Sequence, residues 1–518
     1  MGNRPLILVS LLAATFLVNV DTTIVNVALP TLVRELHASN TQLQWVVDAF
    51  NLFFAASVLA AGSLSDRLGR KGMLLAGLAV FGVASLVGGL LSSPDQLIGA
   101  RAVMGVGAAM IFPSTLSLLT NVFTERRERA LAIGMWGAVT GVAIALGPIV
   151  GGALLEAFDW RSVFFAMTPV AVLAGILVAV SVPASRDPNA PPLDFAGFVL
   201  STATIALLVY TVIEAPDQGW SSSRTIGGFA VTALLAAAFV LWEQRAAHPM
   251  LDLSLLRNPR FAAASGSVAI SFFALSGFIF LVTQYFQFLK QYGPLSTGVR
   301  LLPVASCVAV ASILGARLAV RIGTKAVVVC GLLSMTAFYL WVTTAATSTS
   351  YTTIAMQMVV LGTGMGLTSA PATEAIMGVV PRAKAGVGSA VNDATRLVGG
   401  TLGVAVIGSV YASLYTDRLA AHVPASVADT SRGSLGAALT TADTLGRTGH
   451  PELAQSIHDA ASAAFFDGFR VANLVAAGVT AVGALIALAL LPAHPTTDSD
   501  DEPATHAADT AVALTAGR

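Results

Sequence analysis

Ionisable side chains inside long apolar runs are the residues of this sequence best suited to chemistry. An ionisable side chain in hydrocarbon costs at least a few kcal/mol, so by default it marks a substrate or ion pathway. We therefore take six such residues as candidates for binding substrate or protons: Asp21, Asp48, Arg101, Glu374, Asp393 and Arg396.

Several of these candidates have a plain structural alternative. Arg101 could form an ion pair that only locks helices together, because charges inside a membrane protein usually pair. Asp48 and Glu374 lie close enough to the ends of their runs that snorkelling to the interface explains them equally well. Arg396 could neutralise Asp393, which lies one helical turn away. The sequence leaves these alternatives open.

Asp21 and Asp393 are the two acids to which we assign separate roles. Asp21 lies in the middle of the first run with no basic residue near it in sequence, so we expect it to meet the positive charge of a ligand. Asp393 lies in the other half of the chain, where protonation could make or break a local pair with Arg396. The hypothesis is that Asp21 selects substrate and Asp393 couples protons.

The elements that position these residues are membrane-spanning helices. The chain is 55% hydrophobic and 11% charged, whereas a soluble domain carries roughly a quarter charged residues. The 28 basic and 28 acidic residues balance, so nothing suggests a nucleic-acid partner. At about 20 residues per span, the apolar runs predict about fourteen helices: 6–30, 43–63, 73–92, 97–120, 131–155, 162–182, 195–214, 225–242, 261–289, 297–316, 325–345, 351–378, 389–413 and 468–492.

Basic residues are concentrated in alternate connections between these runs. Because bases are retained on the cytoplasmic side, this pattern predicts a multi-pass plasma-membrane protein with both termini in the cytoplasm. The clusters are Arg67/Arg70/Lys71, Arg126/Arg127/Arg129, Arg245/Arg257/Arg260, Arg317/Arg321/Lys325 and Arg382/Lys384.

A charged stretch from Gly62 to Lys71, G-S-L-S-D-R-L-G-R-K, joins the second and third runs. Its glycines allow a sharp turn, and its bases fix it on one side of the membrane. The pattern, including Gly62, Asp66, Arg67, Gly69 and Arg70, resembles the loop between helices two and three of the major facilitator superfamily. The resemblance implies a loop that braces the two halves and stabilises one access state.

A weaker copy of this stretch, without its acid, spans 315–325 and indicates an internal repeat. Duplicated six-helix halves are a known transporter plan, and the two copies fit it only if one helix pair is inserted between the halves. We thus predict an all-α membrane protein with the major facilitator fold. Its parts are an N-terminal half (1–194), an inserted helix pair (195–242), a cytoplasmic connector (243–260), a C-terminal half (261–492) with an external loop (416–466), and a disordered cytoplasmic tail (493–518). The marginal apolar content of the loop permits a short helix on the outer surface.

The fifth run contains a glycine pattern, G-x-x-x-G-x-x-x-x-x-G-P-x-x-G-G, that begins at Gly137. We expect Gly137 and Gly141 to present a flat face for close helix contact, and Gly147-Pro148 to permit a kink. Continued by Gly151 and Gly152, the pattern resembles the antiporter signature of drug:proton exchangers.

Four further stretches resemble the fourteen-span drug:proton antiporters, and in particular their quaternary ammonium and multidrug efflux subgroup. They are Asp21 to Pro30, Trp45 to Phe50, Leu97 to Gly107 and Ser389 to Arg396. The resemblance links Arg101 to proton coupling, and the acids Asp48 and Asp393 to substrate and proton handling. Two departures are Met104, where a Gln is usual, and Leu397, which replaces an acid of some members and puts dication export in doubt.

The resemblance implies export of lipophilic, cationic drugs or antibiotics in exchange for protons. Proton-coupled uptake, or transport of a narrow range of metabolites on the same fold, is the alternative. An ATP-driven pump would need a G-x-x-x-x-G-K-[ST] loop, which the sequence lacks. An enzyme with an intramembrane metal would need ligands at depth, yet all seven histidines fall outside the predicted spans. We expect no enzyme activity, no metal and no cofactor, with the proton gradient as energy source and a monomer as the working unit.

Overall fold

The chain folds into a bundle of long helices, which satisfy every backbone polar group internally, as a lipid environment requires. The computed structural model describes residues 4–186, 194–247, 249, 253–379, 385–421 and 433–492. In this part of the chain the helices are α1 (Arg4–Leu36), α2 (Asn40–Leu68), α3 (Arg70–Leu90), α4 (Pro94–Val122), α5 (Arg126–Ala157), α6 (Arg161–Ser181), α7 (Phe195–Gln218), α8 (Ser223–Glu243), α9 (Ser254–Arg257), α10 (Pro259–Gln284, continued by a π-helical turn, Tyr285–Leu289), α11 (Pro294–Arg300), α12 (Leu302–Ile322), α13 (Thr324–Val342), α14 (Tyr351–Val379), α15 (Ala385–Ala420), α16 (Leu435–Arg447) and α17 (Pro451–Leu490).

The predicted number of spans is confirmed. Within the described ranges, fourteen helical segments are long and apolar enough to cross a membrane. Several of these helices begin at residues whose side chains cap the first turn. At α2, Ser39 and Gln42 form a capping box, and at α4 the side chain of Ser93 accepts from the backbone of Gln96 while Pro94 occupies the first turn. Such residues satisfy the free N–H groups at a helix start.

The stretch 416–466 contains the short helix that its composition permits, and the helices on either side reach further into it than the predicted spans. Helix α15 continues to Ala420, α16 covers 435–447, and the last helix begins at Pro451 rather than at 468. Leu435, Ala438 and Ala442 recur at helical spacing and are buried, so a small apolar face holds α16 on the bundle although its composition is weakly apolar. Residues 187–193, 422–432, the tail 493–518, part of the connector 243–260, and the stretch 380–384 with the basic residues Arg382 and Lys384 lie outside the described residues.

Two six-helix halves repeat the same arrangement. In the first half α2 and α3 pack on α4, α1 packs on α5, and α3 packs on α6. In the second half α12 and α13 pack on α14, α10 packs on α15, and α13 packs on α17. The turns between α2 and α3 and between α12 and α13 are also equivalent, with Gly69 at φ 119° and Gly323 at φ 92°. Only glycine adopts such angles readily. Helices α7 and α8 are the inserted pair.

The halves are joined by hydrogen bonds at one end of the bundle. We call this the Gln287 end, and the end that carries the α2–α3 turn the Asp66 end. Among the described residues, four hydrogen bonds connect the halves directly: Gln287 Nε2 to Val27 O (2.8 Å), the Asn40 amide to the Gly433 carbonyl (2.8 Å), the Leu295 amide to Glu156 Oε1 (3.2 Å) and Ser409 Oγ with Gln44 Oε1 (3.3 Å). In the described parts of the chain, no such bond joins the halves at the Asp66 end. The bundle is therefore closed at the Gln287 end.

Candidate functional site

Asp21 and Arg101 form an ion pair inside the N-terminal half. Arg101 Nη1 lies 2.5 Å from Asp21 Oδ2, and both side chains are only 1% exposed. Arg101 Nε also donates to the Val46 carbonyl at 3.0 Å, and the guanidinium carbon lies 4.4 Å from the centre of the Phe50 ring. The alternative of an ion pair that locks helices together is thus the one found in this conformation, and a role of Asp21 toward a ligand stays a prediction. Packing of α4 against α1 supplies a base that is distant in sequence.

Asp48 is a buried acid that has no partner among the described residues. Its side chain is 0% exposed, and neither carboxylate oxygen has a hydrogen-bond partner, so snorkelling to the interface does not explain it. Arg101 contacts Val46 and Phe50, each two residues from Asp48 along α2. Two residues correspond to a rotation of about 200° around a helix. Arg101 thus lies on the opposite face of α2 and leaves Asp48 unneutralised.

Asp393 and Arg396 lie half-buried in the half of α15 nearer the Asp66 end. Within the described residues no ion pair joins them, so mutual neutralisation is not found in this conformation. Arg396 instead donates to the Thr373 hydroxyl of α14 at 3.1 Å, and Thr373 donates to Asn392 Oδ1 at 3.3 Å. Glu374, next to Thr373, is exposed. These residues connect α14 and α15.

The second part of the glycine pattern on α5 is packed too tightly for side chains. A Cβ atom at Gly147 would lie 3.0 Å from the Val20 carbonyl oxygen, and one at Gly151 would lie 2.7 Å from Cγ1 of Ile24. A Cβ at Gly152 would approach the Leu295 amide nitrogen of α11 to 2.6 Å. The backbone of Pro148 likewise contacts Gly298 of α11. Residues 147–152 therefore hold α5 against α1 and against the other half of the protein.

The first part of that pattern behaves differently from the prediction. Gly137 and Gly141 are exposed, and a Cβ added at either would meet no atom within 4 Å. The expected close helix contact at these two glycines is wrong in this conformation. They lie on the part of α5 nearer the Asp66 end, where hydrogen bonds do not hold the halves together.

The charged turn between α2 and α3 is organised by Asp66 and Arg70. Arg70 Nε donates to Asp66 Oδ1 at 2.7 Å, one helical turn away. Gly69 provides the positive φ angle of the turn. Arg67 is exposed, and Gly62 lies in ordinary contact with Pro113 of α4.

This turn also contacts the end of α6. The Arg70 amide donates to the Ser185 carbonyl at 2.9 Å, and Lys71 Nζ donates to the Ala179 carbonyl at 2.8 Å. Within the described residues, the hydrogen bonds of the turn all stay inside the N-terminal half. The brace between halves that the resemblance implies is not formed in this conformation.

Neutral amides at the contact between the halves are the polar residues that sequence reasoning missed. Gln44 is 0% and Gln287 is 4% exposed, and each contributes a hydrogen bond between the halves. Each also keeps one amide atom unpaired, Nε2 of Gln44 and Oε1 of Gln287. Both interrupt apolar runs in the sequence. A search of the sequence for amides inside apolar runs, in addition to charged residues, would have found them.

The fold and these buried polar groups define a multi-pass helical membrane protein of the transporter class. Residues 11–404 match the family model of the Major Facilitator Superfamily. The chain belongs to that superfamily. A solved bacterial homologue of the human lysosomal transporter Spinster, inward-facing and unoccupied, has the same fold. It aligns with a TM-score of 0.66 at 16% identity over 94% of this chain and 98% of its own.

Curated relatives with higher sequence identity are drug exporters and resistance proteins. The chain is 35% identical to the multidrug efflux pump LfrA of Mycolicibacterium smegmatis, over 91% of this chain and 93% of the relative. It is 32% identical to the tetracenomycin C resistance and export protein of Streptomyces glaucescens, over 96% and 93%. It is 34% identical to the methylenomycin A resistance protein of Streptomyces coelicolor, over 75% and 82%. These similarities support drug efflux by a transporter rather than an enzymatic activity.

Proposed function

We propose that the protein is a proton-coupled antiporter that exports lipophilic, cationic drugs or antibiotics across the bacterial plasma membrane. One observation carries the coupling part of this proposal. Asp48 is fully buried, and both its oxygens are unpaired. An ionised carboxylate in that position is costly, and uptake of a proton removes the charge. The efflux part is supported by the similarity to drug exporters.

The direction of transport in the proposal follows from the placement of basic residues. The Asp66 end carries Arg67, Arg70 and Lys71, and bases favour the cytoplasmic side. A drug would therefore enter between the halves from the cytoplasm, or from the inner leaflet, in the conformation described above. Export then requires the contacts at the Gln287 end to open and those at the Asp66 end to form.

The coupling in the proposal is a competition between drug and proton. A carrier couples two ligands when each favours a different access state. Asp393 is suited to this role because it is half-buried in the part of α15 nearer the Asp66 end, and among the described residues no ion pair joins it to Arg396. Asp21 is suited to an indirect role. A proton or a cationic drug that displaces Arg101 would change the packing of α4 against α1.

Transport into everted vesicles tests this proposal. With an imposed proton gradient, acid inside, wild-type protein should accumulate the lipophilic cation ethidium, and a protonophore should release it. Asp393→Asn should still bind ethidium and catalyse ethidium counterflow, because the change keeps the shape of the side chain, but proton-driven accumulation should be lost. Asp159→Asn, an exposed acid, serves as the matched control.

Two results would contradict the proposal. Ethidium accumulation that is insensitive to the protonophore would exclude proton coupling. Proton-driven movement of substrate out of everted vesicles would show uptake into the cell rather than export. If Asp393→Asn exchanges protons with the wild-type stoichiometry, the coupling role belongs to another acid.

A further inference from the structure

The inserted helix α7 contacts both halves of the transporter at the Gln287 end. On α2, Trp45 Nε1 donates to Glu214 Oε1 at 3.2 Å, and Thr41 Oγ1 donates to Asp217 Oδ2 at 2.8 Å. On α15, Ser409 Oγ donates to the carbonyl oxygen of Val212 at 2.8 Å. Helix α7 therefore covers the line along which α2 and α15 meet.

Asp48 lies on the face of α2 that is turned toward this line. Thr41 and Trp45 contact α7, and Leu52 packs with α7 and α15. Positions 41, 45, 48 and 52 follow the spacing of a single helix face. Gln44, one turn before Asp48, contacts Ser409 of α15. The unpaired carboxylate thus points to the place where α2, α7 and α15 meet.

The surroundings of Asp48 contain polar groups toward the Gln287 end and an apolar cluster beside them. Toward the Gln287 end lie Gln44 and Ser409, both 0% exposed, with Nε2 of Gln44 unpaired. A buried unpaired donor of this kind suits a bridging water. An apolar cluster lies beside these groups, with Leu52, Val209 and Ala405 toward the Asp66 end and Val212 and Ile213 level with Ser409 and Glu214. In this conformation the polar approach to Asp48 comes from the Gln287 end.

Other charged groups on the packed helices lie elsewhere. Arg101 of α4 is on the opposite face of α2. On α15, Asp393 is 16 residues from Ser409, a distance of about 24 Å along a helix. The charged residues of α7 near Asp48 are Glu214, about one turn farther toward the Gln287 end, and Asp217, which is exposed.

We propose that α7 provides the outer section of a proton route to Asp48, with Glu214 as the proton-exchanging group at its mouth. This inference rests on the proposed proton coupling. A proton from the solvent at the Gln287 end binds the Glu214 carboxylate. It then passes, over water held by Gln44 and Ser409, to a carboxylate oxygen of Asp48, and Glu214 returns to its ionised form. The inserted helix pair thereby takes part in proton coupling.

The test compares three substitutions on α7 in everted vesicles, with ethidium-induced proton release as the readout. Glu214→Gln keeps an oxygen that accepts from Trp45 Nε1 but cannot exchange a proton. It should slow ethidium-induced proton release on the order of a hundredfold, while ethidium binding and counterflow remain as in wild type. Glu214→Asp keeps a carboxylate and should restore much of the rate. Asp217→Asn should behave like wild type.

The outcomes separate the two proposals. Wild-type protein that releases no protons on addition of ethidium would contradict the proposed function itself. Wild-type proton release together with unchanged release in Glu214→Gln would overturn only the route through α7. Equal losses of binding, counterflow and proton release in Glu214→Gln would show that Glu214 acts by holding α7 in place, which also overturns the route.

Discussion

The ion pair between Asp21 and Arg101 permits the sharpest prediction from this structure, which is the effect of Asp21→Asn on stability. Both side chains are 1% exposed. The substitution keeps the shape and an acceptor oxygen but leaves the charge of Arg101 uncompensated. We expect the protein to remain folded, with a clearly lower free energy of unfolding.

The expected loss follows from the contacts of Arg101. Removing one partner of a buried ion pair costs about 3–5 kcal/mol. Arg101 keeps its hydrogen bond to the Val46 carbonyl and its position over the Phe50 ring, so the loss should lie near the lower limit, about 3 kcal/mol. Arg101→Met should cost a similar amount, because it leaves Asp21 buried and ionised without a partner.

The double variant decides whether this reasoning is correct. Replacing both members of a buried pair by uncharged groups is often nearly neutral, so Asp21→Asn with Arg101→Met should recover most of either loss. The measurement is a denaturant titration in mixed micelles for wild type, both single variants and the double variant. Asp159→Asn is the matched control. It removes the acid of a largely exposed pair with Arg161 at 3.5 Å, which should contribute at most about 1 kcal/mol.

Two outcomes would refute the argument. If the losses of the single variants simply add in the double variant, the two charges do not stabilise each other. If Arg101→Met raises the affinity for ethidium while stability is unchanged, Asp21 serves as the counter-ion of a bound cation, and its pairing with Arg101 is secondary.

Two further predictions concern the glycine pattern and the charged turn. Gly147→Leu should abolish export measured in everted vesicles, because a Cβ would already lie 3.0 Å from the Val20 carbonyl. Gly137→Leu, where a Cβ meets open space, should fold with unchanged stability, and normal export by Gly147→Leu would disprove the packing argument. Asp66→Asn removes the charge that pairs with Arg70 and should slow ethidium turnover while ethidium affinity in equilibrium binding survives. A loss of binding in proportion to transport, in correctly inserted protein, would contradict a conformational role for Asp66.

Much of the fold could be predicted because the bilayer imposes its constraint locally. A run of about 20 apolar residues must form a helix that satisfies its own backbone, and the predicted fourteen spans are found. The prediction was less definite where this constraint is weak. The composition of 416–466 only permits a short helix, and the burial of Leu435 and Ala438 on the bundle holds one there. Helix α17 likewise begins before its apolar core.

The candidate acids themselves could also be predicted, because charge inside an apolar run is visible in the sequence alone. Periodicity did not reveal their partners. Asp21 meets Arg101 across 80 positions, whereas Asp393, one turn from Arg396, is not paired with it. Ion pairs inside the bundle are decided by which helix faces meet, and that depends on the packing of all the helices together.

The sequence by itself determined the membrane class, the spans, the internal repeat and the six ionisable candidates, since each of these follows from local composition and spacing. Only the tertiary structure decided that Asp21 is neutralised and that Asp48 is unpaired. It also decided that residues 147–152 hold α5 against α1 and the other half, while Gly137 and Gly141 face open space. The tertiary structure also decided that α7 lies over Asp48. Contacts between residues far apart in sequence arise from the shapes of whole helix faces, and no single stretch of the chain encodes them.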